Sequence, residues 1–200
     1  MEQNFEIEFK NLLTKTEYLK LLAKEFPNAS DKNNNQAIHQ SNYYFDTKNQ
    51  ELKKQHSALR IRVTDSYNEM TFKVPYQGFL MENNLHLSDN EASKIINNKQ
   101  IVLSSLSSPD NNFSFLDKEL KDSTFYLFNL FQTQRFEKKI GKHLIVLDKT
   151  TFQNGNIHYE LEVESKDADE GRKFFESILK MYGVPMKKAS PKIKRAENNK

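Results

Sequence analysis

Phe5-Glu6-Ile7-Glu8-Phe9-Lys10 alternates apolar and charged residues without a break. A period of two places successive side chains on opposite sides of a strand, so this segment has one face of Phe5, Ile7 and Phe9 and another of Glu6, Glu8 and Lys10. The same pattern returns in Leu59-Arg60-Ile61-Arg62-Val63, in Met70-Thr71-Phe72-Lys73-Val74 and in Tyr159-Glu160-Leu161-Glu162-Val163-Glu164. An ordinary half-buried strand turns a random mixture of polar residues toward water. Here the charges group by kind along the strands: Glu6/Glu8 and Glu160/Glu162/Glu164 are acidic ladders, whereas Arg60/Arg62, Lys73 and Arg135/Lys139 are basic ones.

Other elements fit around these strands. Residues 14–26 place Tyr18, Leu19, Leu22, Ala23 and Phe26 at helical spacing, with Thr14 and Glu17 as a capping box and Pro27 as the stop. Residues 28–35 read as an Asn-rich loop and 38–45 as a strand ending in the Asp46-Thr47-Lys48-Asn49 turn, while a polar turn at 65–68 joins a hairpin. Residues 88–131 read mostly as helix and loop, with helices expected at 89–97 and within 116–130. Strands at 131–140, 143–150 and 157–164, joined at Gly141-Lys142 and Asn154-Gly155-Asn156, form an antiparallel meander. Acidic residues at 167–170 open a helix reaching about residue 182, with Phe174, Ile178, Leu179 and Met181 on its buried side and Gly183 and Pro185 beyond it. One domain over residues 1–195 is expected, and the end of the basic tail, 196–200, is expected to fray.

The chain of 200 residues has 30 basic and 27 acidic side chains and no cysteine. Disulfides and thiolate metal sites are therefore excluded, and a metal must take oxygen or imidazole ligands. The near balance of charge argues against general nucleic-acid binding. Neither the Met1-Glu2-Gln3-Asn4 start nor any run of about eighteen apolar residues points to a membrane. The expectation is a cytoplasmic protein, monomer or homodimer, with a small-molecule partner and neither membrane nor nucleic acid.

If the apolar strand faces pack under the helices at 14–26 and 167–182, the charged faces all point the other way. Closing such a sheet gives an α+β fold, a closed antiparallel β-barrel of about eight strands with helices outside, wide enough for one small ligand. Acidic and basic walls in one lumen suit an anion bridged to a metal. A triphosphate needs Arg forks and Lys point charges, and Mg²⁺ or Mn²⁺ needs carboxylates plus phosphate oxygens. Like charges crowded there repel, so each wall needs counter-ions.

Glu6-Ile7-Glu8-Phe9-Lys10 resembles the ExExK signature of the CYTH family, the triphosphate tunnel metalloenzymes. Six further blocks follow in the family's order: Asn42-Tyr43-Tyr44-Phe45-Asp46-Thr47, Leu59-Arg60-Ile61-Arg62, Thr71-Phe72-Lys73, Leu147-Asp148-Lys149-Thr150, Tyr159-Glu160-Leu161-Glu162-Val163-Glu164 and Lys192-Ile193-Lys194-Arg195. The resemblance covers nearly the whole chain and is closest to a compact bacterial branch. It implies that Glu6, Glu8, Glu160 and Glu162 ligate a divalent metal with Asp148 beside them, and that Lys10, Arg60, Arg62, Lys73, Arg135 and Lys192 grip phosphate oxygens. Glu6, Glu8, Lys10, Glu160 and Glu162 are then the catalytic set, Glu164 stands at the rim and Glu82 orients a basic residue.

Two departures stand out. Thr133 occupies a position where the family often has a basic residue, for which Lys138 or Lys139 could compensate. The tail reads Ser190-Pro191-Lys192, which leaves Lys194 as an alternative to Lys192. The implied activity is metal-dependent hydrolysis of the phosphoanhydride bond of inorganic triphosphate or a nucleoside triphosphate. Alternatives are the class IV adenylyl cyclase reaction of the same family, for which no base pocket is evident in the sequence, and a non-catalytic polyphosphate- or nucleotide-binding module. His39, His56, His86, His143 and His158 show no metal-pair spacing and read as structural, while Tyr43-Tyr44-Phe45 and the Phe-rich residues 125–131 read as core.

Overall fold

Every alternating segment is a strand in the computed structural model, which describes residues 2–29, 37–76, 79–106, 116 and 118–200. In chain order the elements are β1 (Glu2–Leu13), α1 (Lys15–Glu25), β2 (Ile38–Asp46), α2 (Glu51–Lys54), β3 (Ala58–Val63), β4 (Asn68–Tyr76) and β5 (Phe79–Leu87). There follow α3 (Asp89–Asn98), β6 (Gln100–Val102), α4 (Lys118–Asp122), β7 (Thr124–Ile140), β8 (His143–Phe152), β9 (Ile157–Ser165), α5 (Ala168–Tyr182) and α6 (Lys192–Glu197). The strands hydrogen-bond in the order β2-β3-β4-β5-β1-β9-β8-β7-β6, with a further pairing of β2 and β7. The pairs β1–β9, β2–β3, β3–β4, β4–β5, β6–β7, β7–β8 and β8–β9 are antiparallel, and the fold class is the one expected, α+β with helices on the outer side of an antiparallel sheet.

The chain divides into two compact units, Met1–Phe5 with Ser41–Leu130 and Glu6–Gln40 with Phe131–Lys200. In the first, Leu59 and Ile61 of β3, Met70 and Phe72 of β4 and Leu85 and Leu87 of β5 bury one face of the meander. Leu52 of α2, Ala92 and Ile95 of α3 and Leu120 of α4 join that core. Alternation then leaves Arg60, Arg62, Thr71 and Lys73 on the opposite face.

In the second unit, Leu13 of β1, Phe136 of β7, Ile145 and Leu147 of β8 and Leu161 and Val163 of β9 form the apolar face. Tyr18, Leu21 and Phe26 cover it from α1 and its end, and Phe175, Ile178 and Leu179 cover it from α5. The Thr14–Glu17 capping box opens α1: the Thr14 amide donates to Glu17 Oε2 at 2.6 Å and the Glu17 amide to Thr14 Oγ1 at 3.2 Å. Asp167 caps α5 by accepting from the Glu170 amide at 2.8 Å, and Gly183 ends it with φ +64°, a conformation that favours glycine.

Several expectations change. Leu21 rather than Leu19 or Ala23 faces the core from α1, and Leu19 is half exposed. On α5 Phe175 takes the inward place and Met181 points to solvent, at 72% exposure. Residues 124–130, expected in a helix, begin the long strand β7, because Phe125, Tyr126, Leu127 and Phe128 are better suited to a pleated sheet than to a helix. Only α4 remains of that helix. β5, which the sequence reading passes over, carries Asn83 and Asn84, poor strand formers that blur its alternation. The loop expected at 28–35 lies from residue 30 onward outside the described residues. In the tail, Ala196 is buried, and Asn199 accepts from Asn156 Nδ2 at 2.8 Å and donates to the Arg195 carbonyl at 2.7 Å.

Candidate functional site

With Leu161 and Val163 in the core, Glu160, Glu162 and Glu164 of β9 must emerge on the other face, and the neighbouring strands follow the same parity. Register then brings chemistry together across the second unit. Lys10 lies opposite Glu162, Glu8 opposite Glu164, Asp148 opposite Glu160, and Arg135 opposite Asp148.

Side chains on this face interlock. Arg135 donates from Nε to Asp148 Oδ1 at 2.9 Å and from Nη2 to Asp148 Oδ2 at 2.7 Å, a two-pronged contact, and from Nη2 to Glu162 Oε2 at 2.9 Å. Lys192, first residue of α6, places Nζ 2.9 Å from Asp148 Oδ2 and 3.3 Å from Glu160 Oε2, and pairs with Glu162 Oε1 as well. Lys10 pairs with Glu8 and lies 3.9 Å from Glu162. Arg195 grips Glu160 with both terminal nitrogens and also donates to the Ser190 carbonyl. Asp148, Glu160 and Glu162 are almost wholly buried, at 0%, 1% and 3% exposure.

Burial opposes ionisation of Asp148 and Glu162, but the nearby cations prevail. Lys192, Arg135 and Lys10 hold Glu162 well below the usual carboxylate range, and Arg135 and Lys192 lower Asp148. The cations gain in turn: against the effect of burial, Asp148 and Glu162 raise both Arg135 and Lys192, and Glu8 and Glu162 raise Lys10. Glu164 behaves differently. Burial pushes it up to about 6, Glu162, Glu8 and Glu137 add to the rise, and Arg135 only partly offsets it.

On the polar face of the first unit, Arg60 donates to Thr71 Oγ1 at 3.0 Å and lies 3.8 Å from Glu69 Oε1. Arg62 donates from Nε to Asn42 Oδ1 at 3.1 Å, and Lys73 pairs with Glu82. The sequence-predicted residues thus fall into two groups. Glu8, Lys10, Arg135, Asp148, Glu160, Glu162 and Lys192 come together in the second unit, and Arg60, Arg62 and Lys73 share a face of the first. Glu6 lies on β1, with its side chain outside the described residues.

Lys192 rather than Lys194 enters the carboxylate cluster, and Lys194 is exposed. Lys138 cannot stand in for a base at Thr133, since it turns to Glu25 at 2.9 Å, while Thr133 lies 3.3 Å from Thr150 through their hydroxyls. Arg195 is the participant that sequence reasoning left without a role. Its signal was spacing: three residues beyond Lys192 on a helix, it shares that residue's face.

Glu8, Asp148, Glu160 and Glu162 offer only carboxylate oxygens, hard donors whose chemistry fits the divalent cation that the resemblance implies. Among the described residues no group of three or more acidic or histidine side chains forms a ready ion cage. Asp148, Glu160 and Glu162 converge instead on an ammonium. Among the described residues, too, no helix is long and apolar enough to cross a membrane.

The CYTH domain family model matches residues 4–196. The chain is 35% identical over 203 residues to the Bacillus subtilis (strain 168) protein named "Putative triphosphatase YjbK", covering 98% of this chain and 95% of that one. Among solved structures, one described as a putative adenylate cyclase from Bacillus halodurans superposes with a TM-score of 0.83 at 27% identity, covering 98% of both chains. Another, from Hippeastrum, is described as a putative adenylyl cyclase with a dominant triphosphatase activity; its TM-score is 0.75 at 21% identity over 100% of this chain and 97% of that one, a likeness of fold. The family is in general divalent-metal dependent. With the motif order, the register of the charged strands and the match over nearly its full length in agreement, the chain belongs to the CYTH domain family.

Proposed function

We propose that this protein is a divalent-metal-dependent triphosphatase that hydrolyses the phosphoanhydride bond of inorganic triphosphate or of a nucleoside triphosphate. One observation carries the reading: carboxylates and cations interleave on one face of β1, β7, β8 and β9, with Arg135, Lys10 and, from the start of α6, Lys192 set among Asp148, Glu160, Glu162 and Glu8. The name of the Bacillus subtilis relative supports it.

In this reading Glu8, Asp148, Glu160 and Glu162, with Glu6, hold Mg²⁺ or Mn²⁺. The ion would neutralise phosphate oxygens as negative charge shifts to the leaving group. Lys10, Arg135 and Lys192 bind phosphate oxygens, Arg135 through a planar fork that matches two oxygens at once and the lysines as point charges. Arg60, Arg62 and Lys73 supply further phosphate contacts. The nucleophile is water, oriented by Glu160 or Glu162, and Glu162 is kept ionised and able to accept by its cations. The setting is cytoplasmic, with the enzyme a monomer or homodimer and its substrate a small molecule.

The adenylyl cyclase reaction has one observation in its favour, the description of the Bacillus halodurans structure. There the 3′-hydroxyl of ATP would attack the α-phosphorus and pyrophosphate would leave. Substrate preference tests where recognition lies. With Mg²⁺ or Mn²⁺, kcat/KM for inorganic triphosphate is expected to equal or exceed that for ATP, with pyrophosphate poor. If ATP wins by about tenfold, about 1.4 kcal/mol of transition-state binding comes from nucleoside contacts, and recognition by the triphosphate alone is wrong.

A further inference from the structure

Three carboxylates meet at one atom of the C-terminal helix. Lys192 Nζ lies 2.9 Å from Asp148 Oδ2 and 3.3 Å from Glu160 Oε2, and pairs with Glu162 Oε1. These are the oxygens that the proposed function assigns to a divalent cation, and they are buried with little access to water. Arg135 already occupies the remaining faces of Asp148 and Glu162, and Arg195 holds Glu160. An ammonium and a divalent cation on the same oxygens would repel strongly in so buried a place.

We infer that the Lys192 ammonium is an internal stand-in for the divalent cation, so that metal entry requires Lys192 to withdraw from the carboxylates. The inference rests on the metal-binding role proposed for Glu160 and Glu162. It accounts for how buried carboxylates coexist when no metal is bound, because each has a cation from the chain itself. The exchange concerns the start of α6, since Arg195, Ala196 and Asn199 anchor its far end. The helix has only six residues, Lys192–Glu197, and its N-cap Pro191 makes no side-chain capping bond. Once displaced, Lys192 keeps its charge and needs another anion, which a phosphate group supplies. Metal and triphosphate should therefore bind with positive coupling, each raising the other's affinity.

The test uses full-length protein stripped of metal with chelator, and Mn²⁺ alone as the probe. Lys192→Gln keeps most of the side-chain length and removes the competing charge. Calorimetry should show Lys192→Gln binding Mn²⁺ about tenfold or more tightly than wild type, the competing cation having gone. Equal or weaker affinity overturns the displacement. Glu162→Gln separates the two ideas: Mn²⁺ binding lost in Glu162→Gln but unchanged in Lys192→Gln leaves the metal site standing and sinks the exchange, whereas no binding by wild type or Lys192→Gln sinks both. A second measurement needs no variant. Saturating Mn²⁺ should speed trypsin cleavage of wild type at Lys192, and an unchanged rate at a concentration that calorimetry shows to be saturating would overturn the withdrawal.

Discussion

Glu162 and Glu164 sit two residues apart on β9, on the same face, yet neutralising them should change stability in opposite directions. Glu162 is 3% exposed, accepts from Arg135 Nη2 at 2.9 Å, pairs with Lys192 and lies 3.9 Å from Lys10. Its folded-state pKa lies well below the ordinary 4.5, so its stabilising contribution is fully present above that value and is lost as pH falls toward its folded pKa. Removing one partner of a buried ion pair costs about 3–5 kcal/mol. Lys192 and Arg135 keep Asp148 in Glu162→Gln, which places the cost near the lower end, about 3 kcal/mol at pH 7. For a chain of this length that lowers Tm by about 6–12 °C.

Glu164 has the reverse sign. Its folded pKa is raised to about 6 from 4.5, so the folded state binds more protons, and stability from this group falls as pH rises through that window. Glu164→Gln should raise stability at pH 7 by about 1–2 kcal/mol, and the gain should vanish below about pH 4. Calorimetric melting of both variants in chelator, at pH 7 and at pH 4, reads the two signs directly. An unchanged or higher Tm for Glu162→Gln at pH 7 would refute the view that the cations, rather than carboxylate repulsion, dominate at Glu162.

Arg62→Ala should weaken triphosphate binding by about 1.5–3 kcal/mol, with Arg62→Lys recovering only part because it keeps the charge but not the fork; titration calorimetry showing wild-type affinity for Arg62→Ala would remove Arg62 from the phosphate contacts. Arg195→Gln leaves buried Glu160 without its clamp and should lower Tm by several degrees, with Arg195→Lys recovering only part, since a lysine keeps the charge but lacks the planar fork that serves Glu160 and the Ser190 carbonyl together. Gly171→Ala would place a Cβ 2.6 Å from Ser165 Cβ and 2.8 Å from the Phe9 ring, so melting should show a loss of about 1–3 kcal/mol from overpacking.

Alternating segments were legible because period two and the neighbouring turn residues agreed at β1, β3, β4 and β9. The capping box of α1 was legible for the same reason: Thr14 and Glu17 state it locally. Partnership was not legible. Arg135 lies opposite Asp148 only through the register of β7 with β8, and Lys192 reaches Glu160 and Glu162 across thirty or more residues of sequence, as the tail returns to the sheet. Crowded carboxylates call for counter-ions, which Lys192, Arg135 and Lys10 supply to Glu162, whereas at Glu164 burial prevails over the one nearby cation, Arg135. Residues 124–130 misled because Leu and Phe recur there at spacings a helix also allows, and the choice was settled by pairing with β6. Leu19 and Leu21 show a finer limit: helical spacing marks an apolar side, but packing against Tyr159 and its neighbours on the sheet decides which leucine faces inward.

Product identity tests the central claim most directly. Purified protein incubated with inorganic triphosphate, and separately with ATP, in Mg²⁺ and then Mn²⁺, should release orthophosphate and leave pyrophosphate or ADP, with no release once the cation is chelated. Accumulation of cyclic AMP and pyrophosphate from ATP, with inorganic triphosphate left intact, would contradict it.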